Sequence, residues 1–301
     1  MFRRFPVVQV DVFTTNRLEG NALAILPDAR GLHVDEMQAV ARETNLSETV
    51  FLIRSDVATE RAAGVRARIF TPQEELPFAG HPTLGTAWFL REQAAAGGAP
   101  RPAEITLSLN VGKITVRFEE GGPDGGTFGE MTQLDPTFGT THDPAEVARV
   151  LRLDPGALDE LPVQTISTGV PFTIVPLRSL AAIRALAVDL AAAEAYLVPL
   201  GSKFFYFVTR ETVDPAARLH ARMIFSNGED PATGSAAGCA AAWAVANGIA
   251  RPDERILVEQ GLEVKRPSRI HVRAGKSGDR IVNVRVGGSV VQVLKGELDL
   301  G

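Results

Sequence analysis

The sequence predicts an α+β protein built from two similar domains. Three observations predict it: one supersecondary phrase occurs twice, a glycine-rich interruption restarts the pattern of elements, and strands follow one another through short turns instead of alternating with helices. The first copy of the phrase runs Ala67-Arg68-Ile69-Phe70, a polar turn, Glu75-Leu76-Pro77-Phe78-Ala79-Gly80, then an apolar stretch from Leu84 through Trp88 to Leu90. The second runs Ala221-Arg222-Met223-Ile224-Phe225, a turn, Glu229-Asp230-Pro231-Ala232-Thr233-Gly234, then Ala236 through Trp243 to Ala246. Each reads as strand, Glu-x-Pro-x-x-Gly turn and apolar helix. Each copy therefore brings one helix N-terminus, whose unpaired N–H groups and partial positive charge suit a carboxylate.

In chain order, Val7–Phe13 reads as a strand, with Ala22–Leu26 as its partner across the turn at Glu19-Gly20-Asn21. Val34–Thr44 has helical spacing, with Met37, Val40 and Ala41 on one face and Asp35 and Glu36 in the first turn. Thr49–Ile53, entered through Glu48, is a β-branched and aromatic strand; Val65–Phe70 is the next, leading into the first phrase. Ala94–Pro102 reads as a loop, and Ile105–Leu109 with Lys113–Phe118 as a hairpin around Asn110-Val111-Gly112. Gly121–Gly126 holds four glycines and a proline, and there the sequence places the boundary between a lobe of residues 1–125 and one of 126–288. Beyond it come a strand at Phe128–Gln133, a helix at Ala145–Leu151 capped by Asp143-Pro144, and strands at Thr173–Leu177 and Phe204–Thr209 separated by an Ala-rich helix near Leu180–Leu186. Arg222–Phe225 opens the second phrase. Strands at Ile256–Glu259, Ile270–Arg273, Ile281–Val286 and Val290–Leu294 complete the set.

The 301 residues, 45% hydrophobic and 22% charged, are those of a globular chain with a full core. A net charge of −5 without a basic run longer than Arg3-Arg4 argues against nucleic-acid binding, which needs clustered Lys and Arg. The start, Met1–Phe13, alternates like a strand and lacks the apolar core of a signal peptide. The longest weakly polar run, Ala232–Ala250, is dominated by small residues and reads as an enclosed helix, so no membrane span is expected. One cysteine, Cys239, forbids an intrachain disulfide and fits a reducing, cytoplasmic compartment. It also rules out a racemase built on two opposed thiols within one chain.

No nucleotide-binding signature is present. The five histidines, at 33, 81, 142, 220 and 271, lack metal-ligand spacing, so neither a metal nor a cofactor is expected. What remains are polar residues set among apolar ones. Glu48 lies at the mouth of a strongly apolar strand, where desolvation favours a raised pKa and acid/base work, although a capping Glu would look the same. His81 stands in the first turn of the first small-residue helix. Asp230 and Ser235 flank the second turn, where N-capping is the plainer role.

Taken together, these stretches resemble the PhzF-like phenazine-biosynthesis isomerases, whose fold is that of diaminopimelate epimerase. The resemblance rests on Val10-Asp11-Val12-Phe13 with Glu19-Gly20-Asn21, Asn45-Leu46-Ser47-Glu48-Thr49, Arg68-Ile69-Phe70-Thr71-Pro72, Glu75 through Thr83, and Glu229 through Gly238, in order along most of the chain. The chain departs from the family pattern at Ala22 and Cys239. The resemblance implies that each domain is a curved, mostly antiparallel sheet wrapped around a central helix, with the last strand, about 289–301, returning to the first lobe. It implies a site between the lobes, with Glu48 as acid/base, His81 and Asp230 as its catalytic companions, and Asn21, Ser47, Gly80, Gly234 and Ser235 around the substrate. A homodimer is implied as well.

The expected activity is a cofactor-independent isomerisation that moves a proton on a small carboxylate-bearing molecule. The alternatives are an amino-acid epimerase or racemase using carboxylate bases, and a non-catalytic member that binds a small ligand or a protein.

Overall fold

The computed structural model describes residues 3–225 and 228–301. Met1 and Phe2, the start of the N-terminal alternation, and Ser226 and Asn227 in the second phrase's turn lie outside the described residues. The architecture is α+β: a mixed sheet of mainly antiparallel strands, accompanied by helices. The chain divides into two compact units, one of Met1–Met131 with Gly287–Gly301, the other of Thr132–Val286.

In the first unit the order is β1 (Arg3–Val12), β2 (Asn21–Leu26), α1 (Val34–Thr44), β3 (Glu48–Ile53), α2 (Val57–Ala63), β4 (Val65–Phe70), β5 (Glu75–Leu76), α3 (Gly80–Ala96), β6 (Glu104–Leu109), β7 (Gly112–Glu119) and β8 (Phe128–Thr132). In the second it is β9 (Thr137–Thr141), α4 (Pro144–Leu151), β10 (Gln164–Ser167), β11 (Pro171–Leu177), α5 (Leu180–Arg184), α6 (Leu190–Leu197), β12 (Phe204–Thr209), β13 (Ala217–Phe225), β14 (Gly228–Asp230), α7 (Gly234–Ala246), β15 (Ile256–Gln260) and β16 (Ser268–Ser277). The last strand, β17 (Arg280–Leu300), leaves the second unit at Gly287 and continues in the first.

Pairings in the first unit run β1–β2 antiparallel, β2–β3 parallel, β3–β4 antiparallel, β4–β6 parallel, and β6–β7 and β7–β8 antiparallel. Strand β17 pairs with β8 and, antiparallel, with β1, so the circuit closes into a barrel without a free edge. In the second unit, β10–β11 antiparallel, β11–β12 parallel, β12–β13 antiparallel, β13–β15 parallel and β15–β16 antiparallel repeat the same sequence of senses. Even the small additions match, since β5 pairs with β4 as β14 pairs with β13.

Two helices rich in small residues are enclosed on nearly every side, α3 as far as Arg91 and α7 as far as Ala244. Helix α3 buries Gly80 through Ala87 and Phe89–Arg91, packing on β1, β2, β3, β6 and β7. Helix α7 buries Gly234 and Ala236 through Ala244 against β10, β11 and β16. A helix without a polar face is stable only when enclosed, which explains why small residues fill both. Helices α1 and α4 are amphipathic: α1 lays Met37, Val40 and Ala41 on Phe51 and Phe70, while α4, with α6, covers Val175, Phe205 and Phe207.

Several expectations are corrected. The stretch predicted as a loop from Ala94 begins with the last turn of α3, which ends at Ala96 because Gln and Ala continue a helix until Gly97. The two C-terminal strands are one, since Gly287 and Gly288 extend β17 without a turn. Helices α2 and α6 and strands β9 and β10 escaped the sequence reading; each is short, and the five residues of β9 are all exposed, so no burial pattern marks that strand. The Gly121–Gly126 run is the turn between β7 and β8, five residues before the chain enters the second unit after Met131.

Candidate active site

The polar residues singled out by sequence gather at the starts of α3 and α7, in separate units. In the first, Glu48 opens β3, next to Leu23 on β2 in the parallel register, and its neighbour Thr49 is fully buried with its hydroxyl 2.7 Å from that of Thr44. Ser47, half-buried, precedes it. Gly80 and His81 are the first two residues of α3, both buried. The His81 Nε2 lies 3.4 Å from Glu48 Oε2, with the two side chains 5% and 14% exposed. On the other side of the ring, Nδ1 lies 3.3 Å from the side-chain nitrogen of buried Asn21. The donor and acceptor roles in that contact follow the tautomer of the ring.

Burial pushes the His81 pKa down to about 3, with a hydrogen bond to the Ala22 backbone opposing it weakly. Desolvation of the imidazolium is the larger of the two effects. His81 is therefore a neutral imidazole, able to donate on one nitrogen and accept on the other.

In the second unit, Asp230 ends β14 opposite Met223. Its Oδ2 accepts a 2.7 Å hydrogen bond from the Thr233 hydroxyl. Gly234, buried, and Ser235, half-buried, open α7. Thr233 is bound in turn by Gln260, and Gly234 O accepts from the buried Gln133 at 3.1 Å.

The two helix starts share a property that the others lack. Helices α1, α2, α4, α5 and α6 are each capped by a side chain, from His33, Asp56, Asp143, Ser179 and Asp189. At α3 the N-cap is Ala79 and at α7 it is Thr233, and neither side chain takes a first-turn N–H. A missing cap costs about 1 kcal/mol, so leaving two central helices uncapped has a stability cost that an anionic ligand would offset.

The turn before each helix is clamped in the same way. Arg68 holds Glu75 through two hydrogen bonds of 2.8 and 2.6 Å, and Arg222 holds Glu229 through bonds of 3.0 and 2.6 Å. Such fork-to-fork pairs fix geometry as well as charge. Sequence reasoning quoted both pairs inside the repeated phrase without assigning the contact; the equal spacing of seven residues was the available signal. It missed Gln260, Tyr206, Gln133 and Thr233, polar side chains buried among apolar neighbours. Among the described residues no group of three His, Cys, Asp or Glu side chains is arranged to hold a metal ion. No helix among them is long and apolar enough to cross a membrane.

Comparison with known proteins bears on the chemistry. A model of the PhzC-PhzF family, described as phenazine biosynthesis-like protein, matches residues 10–296. An uncharacterized isomerase of Mesorhizobium japonicum is 39% identical over 96% of each chain. The trans-2,3-dihydro-3-hydroxyanthranilate isomerase of Pseudomonas aeruginosa is 33% identical over 94% of this chain and 95% of its own. Among solved structures, a PhzF-family phenazine biosynthesis protein of Bacillus anthracis superposes with a TM-score of 0.86, at 27% identity over 98% of this chain and 99% of the other.

Proposed function

The chain belongs to the phenazine biosynthesis-like (PhzC-PhzF) family of isomerases, and we propose that it moves a proton on a small carboxylate-bearing substrate without a cofactor, using Glu48 as acid and base. The observation that carries this reading is the Glu48–His81 pair: a carboxylate at the mouth of an apolar strand, its oxygen 3.4 Å from a neutral imidazole nitrogen. Glu48 takes a proton from an acidified carbon of the substrate and returns it to another carbon. His81 hydrogen-bonds the carboxylate or the substrate and relays the proton between positions.

Asp230 acts as the third catalytic group, orienting the substrate through its carboxylate. The uncapped N–H groups at Gly80-His81 and Gly234-Ser235 hold the substrate carboxylate and stabilise the negative charge that develops on proton removal. Asn21 and Ser47 complete the substrate contacts. The matched order of strand pairings supports two similar domains, each a curved sheet around its central helix. A homodimer in the cytoplasm fits the family resemblance and the single cysteine.

The first compound to offer is trans-2,3-dihydro-3-hydroxyanthranilate, the substrate named in the Pseudomonas relative and itself a small carboxylate. Conversion followed in deuterated water should place solvent deuterium in the product in the parent protein. If Glu48→Gln performs the conversion at the parent rate, the assignment of Glu48 fails. If the parent leaves the compound unchanged while exchanging protons on other small carboxylates, the reaction class stands and this substrate falls.

A further inference from the structure

Gln260 ends β15 with no exposure to solvent, and its carboxamide makes four hydrogen bonds. Nε2 donates to Asp230 O at 2.7 Å and to Thr233 Oγ1 at 3.0 Å. Oε1 accepts from the Thr233 N–H at 3.1 Å and from the Tyr206 hydroxyl at 2.9 Å. The orientation of the amide is fixed by its partners: a backbone carbonyl can only accept and a backbone N–H can only donate, so the reversed amide would oppose like to like at both.

That fixed orientation sets the direction of a chain of protons. Because the Thr233 oxygen accepts from Gln260, its own hydrogen is available for Asp230 Oδ2, which it reaches at 2.7 Å. Tyr206 stays protonated as the outer donor, since burial first and the charge of Asp230 second push its pKa well above the ordinary range. The polarity runs Tyr206 to Gln260 to Thr233 to Asp230. Thr233 is also the N-cap of α7, a position where a threonine ordinarily bonds a first-turn N–H. Here the hydroxyl is committed to Asp230 instead, and the helix end stays open.

We propose that Gln260 is a positioning residue for the reaction: it sets the carboxylate of Asp230 and, by committing the Thr233 hydroxyl to that carboxylate, keeps the N–H groups of α7 available to substrate. This rests on the reading of Asp230 and the α7 start as part of the active site. Two neighbours hold the arrangement from either side. Gly261, at φ +80°, passes so close beneath the turn that a Cβ would lie 2.5 Å from Pro231 O, and Gln133 Nε2 holds Gly234 O. No side chain larger than glycine fits after Gln260, which keeps its carboxamide against the turn.

Gln260→Glu tests this, because it preserves shape while replacing the amide donors with an ionisable carboxyl group. Ionised, the new side chain presents an acceptor to Asp230 O and Thr233 Oγ1; protonated, it returns one of the two lost donors. At pH 8 the variant should exchange the Thr233 and Ala237 amides about ten- to a hundredfold faster, the loss expected from breaking hydrogen bonds to a buried turn. Conversion of trans-2,3-dihydro-3-hydroxyanthranilate should fall by a similar factor, mainly in kcat, and both changes should partly reverse as the pH is lowered and the introduced carboxylate takes up a proton. Thr233→Val should keep the protection of its own amide, which Gln260 Oε1 still accepts, yet lose turnover. A residue that only supports the fold would show a lower melting temperature with kcat unchanged. Unchanged Thr233 protection in Gln260→Glu at pH 8, or lost protection with parent turnover, overturns the proposal. The exchange measurement needs no substrate, so it decides whether Gln260 holds the turn even where the parent leaves this compound unchanged; that outcome counts against the functional reading alone.

Discussion

His81 directs its Nε2 at Glu48 Oε2 across 3.4 Å, and both atoms are closed off from solvent. A histidine this close to a carboxylate is usually read as half of an ion pair, with its pKa raised. Here the cost of burying the imidazolium wins and the ring is neutral. The distinction matters for the chemistry, because a neutral imidazole can hand a proton on, whereas a cation would hold the carboxylate permanently ionised. Position in the fold produces this: His81 is the second residue of the enclosed helix α3, while Glu48 opens the strand beside it.

Glu48→Gln keeps the size of the side chain and one hydrogen-bonding oxygen but accepts no proton at neutral pH. Removal of a positioned general base costs about 10²–10⁴-fold in rate. Solvent-deuterium incorporation should fall by that factor. Binding of a substrate-like acid, measured by calorimetry, should change far less, because the two helix starts are untouched. Equal losses in affinity and rate would reassign Glu48 to substrate binding.

The neutral state of His81 gives a signed pH prediction. An unfolded histidine takes up a proton near pH 6.5, whereas the folded one resists protonation down to about 3. Between those values the unfolded chain binds the extra proton, so the stability associated with this site is full above about pH 6.5 and declines as the pH falls towards 3. His81→Asn should flatten the acid side of a plot of melting temperature against pH. His81→Ala should weaken both ligand binding and proton exchange, since it also disturbs the start of α3. An acid limb as steep in His81→Asn as in the parent would show that another group is responsible.

Much of this was legible in the sequence, for identifiable reasons. The repeated phrase carries the Arg–Glu clamp, the turn and the enclosed helix in both units, and each of these is encoded within about 25 consecutive residues, where spacing can be read directly. The pairing of Glu48 with His81 was not legible from spacing alone, because 32 residues, with α2, β4 and β5 among them, intervene. Only the family resemblance joined them. Gln260 was invisible for a related reason: a glutamine after Ile256-Leu257-Val258-Glu259 looks like the end of a strand, and only tertiary contact with Thr233 and Asp230 gives it meaning. His220 was set aside for want of metal-ligand spacing, yet it lies between two carboxylates.

That buried triad should be visible in stability. His220 is completely buried, with Nδ1 2.8 Å from Glu259 Oε1 and Nε2 3.2 Å from Glu263 Oε1. Burial opposes its charge, but hydrogen bonds to Glu259 and Glu263 and their negative charges prevail, and its pKa lies above the ordinary 6.5. Burial likewise opposes ionisation of the two carboxylates, and the bonds to His220 hold both below the ordinary 4.5. The histidine contribution is complete below pH 6.5 and is lost as the pH rises through its raised value; the carboxylate contributions are complete above pH 4.5 and are lost as the pH falls through their lowered values. His220→Gln removes the cation from between two carboxylates, a change that costs about 3–5 kcal/mol when the partners are buried. Denaturant titration should show the largest deficit between pH 4.5 and 6.5, narrowing at higher pH. A deficit independent of pH would mean that His220 contributes packing alone.

Gly238→Ala sets two opposed effects against each other on α7. Alanine in a helix interior is favoured over glycine by about 1 kcal/mol. A Cβ at this position, however, would lie 1.9 Å from Gln133 Oε1, far inside contact distance. Gln133 cannot swing away without cost, because it is buried, its Oε1 accepts from Thr168 at 2.6 Å and its Nε2 donates to Gly234 O. Losing those bonds inside the protein costs about 1–3 kcal/mol for each group left unsatisfied. The steric term therefore wins, and Gly238→Ala should be destabilised by a net amount on the order of 1–3 kcal/mol. The cause can be isolated with a double-mutant cycle. In a Gln133→Ala background the obstructing oxygen is gone, so Gly238→Ala should become neutral or stabilising there, leaving a coupling energy above about 1 kcal/mol between the two positions. Because Gln133 also holds Gly234 O, the single variant should lose proton-exchange activity along with stability, and the Gln133→Ala background should show the same loss of activity before Gly238 is changed. A Gly238→Ala protein as stable as the parent would mean that Gln133 has another way out of the collision and does not pin the start of α7.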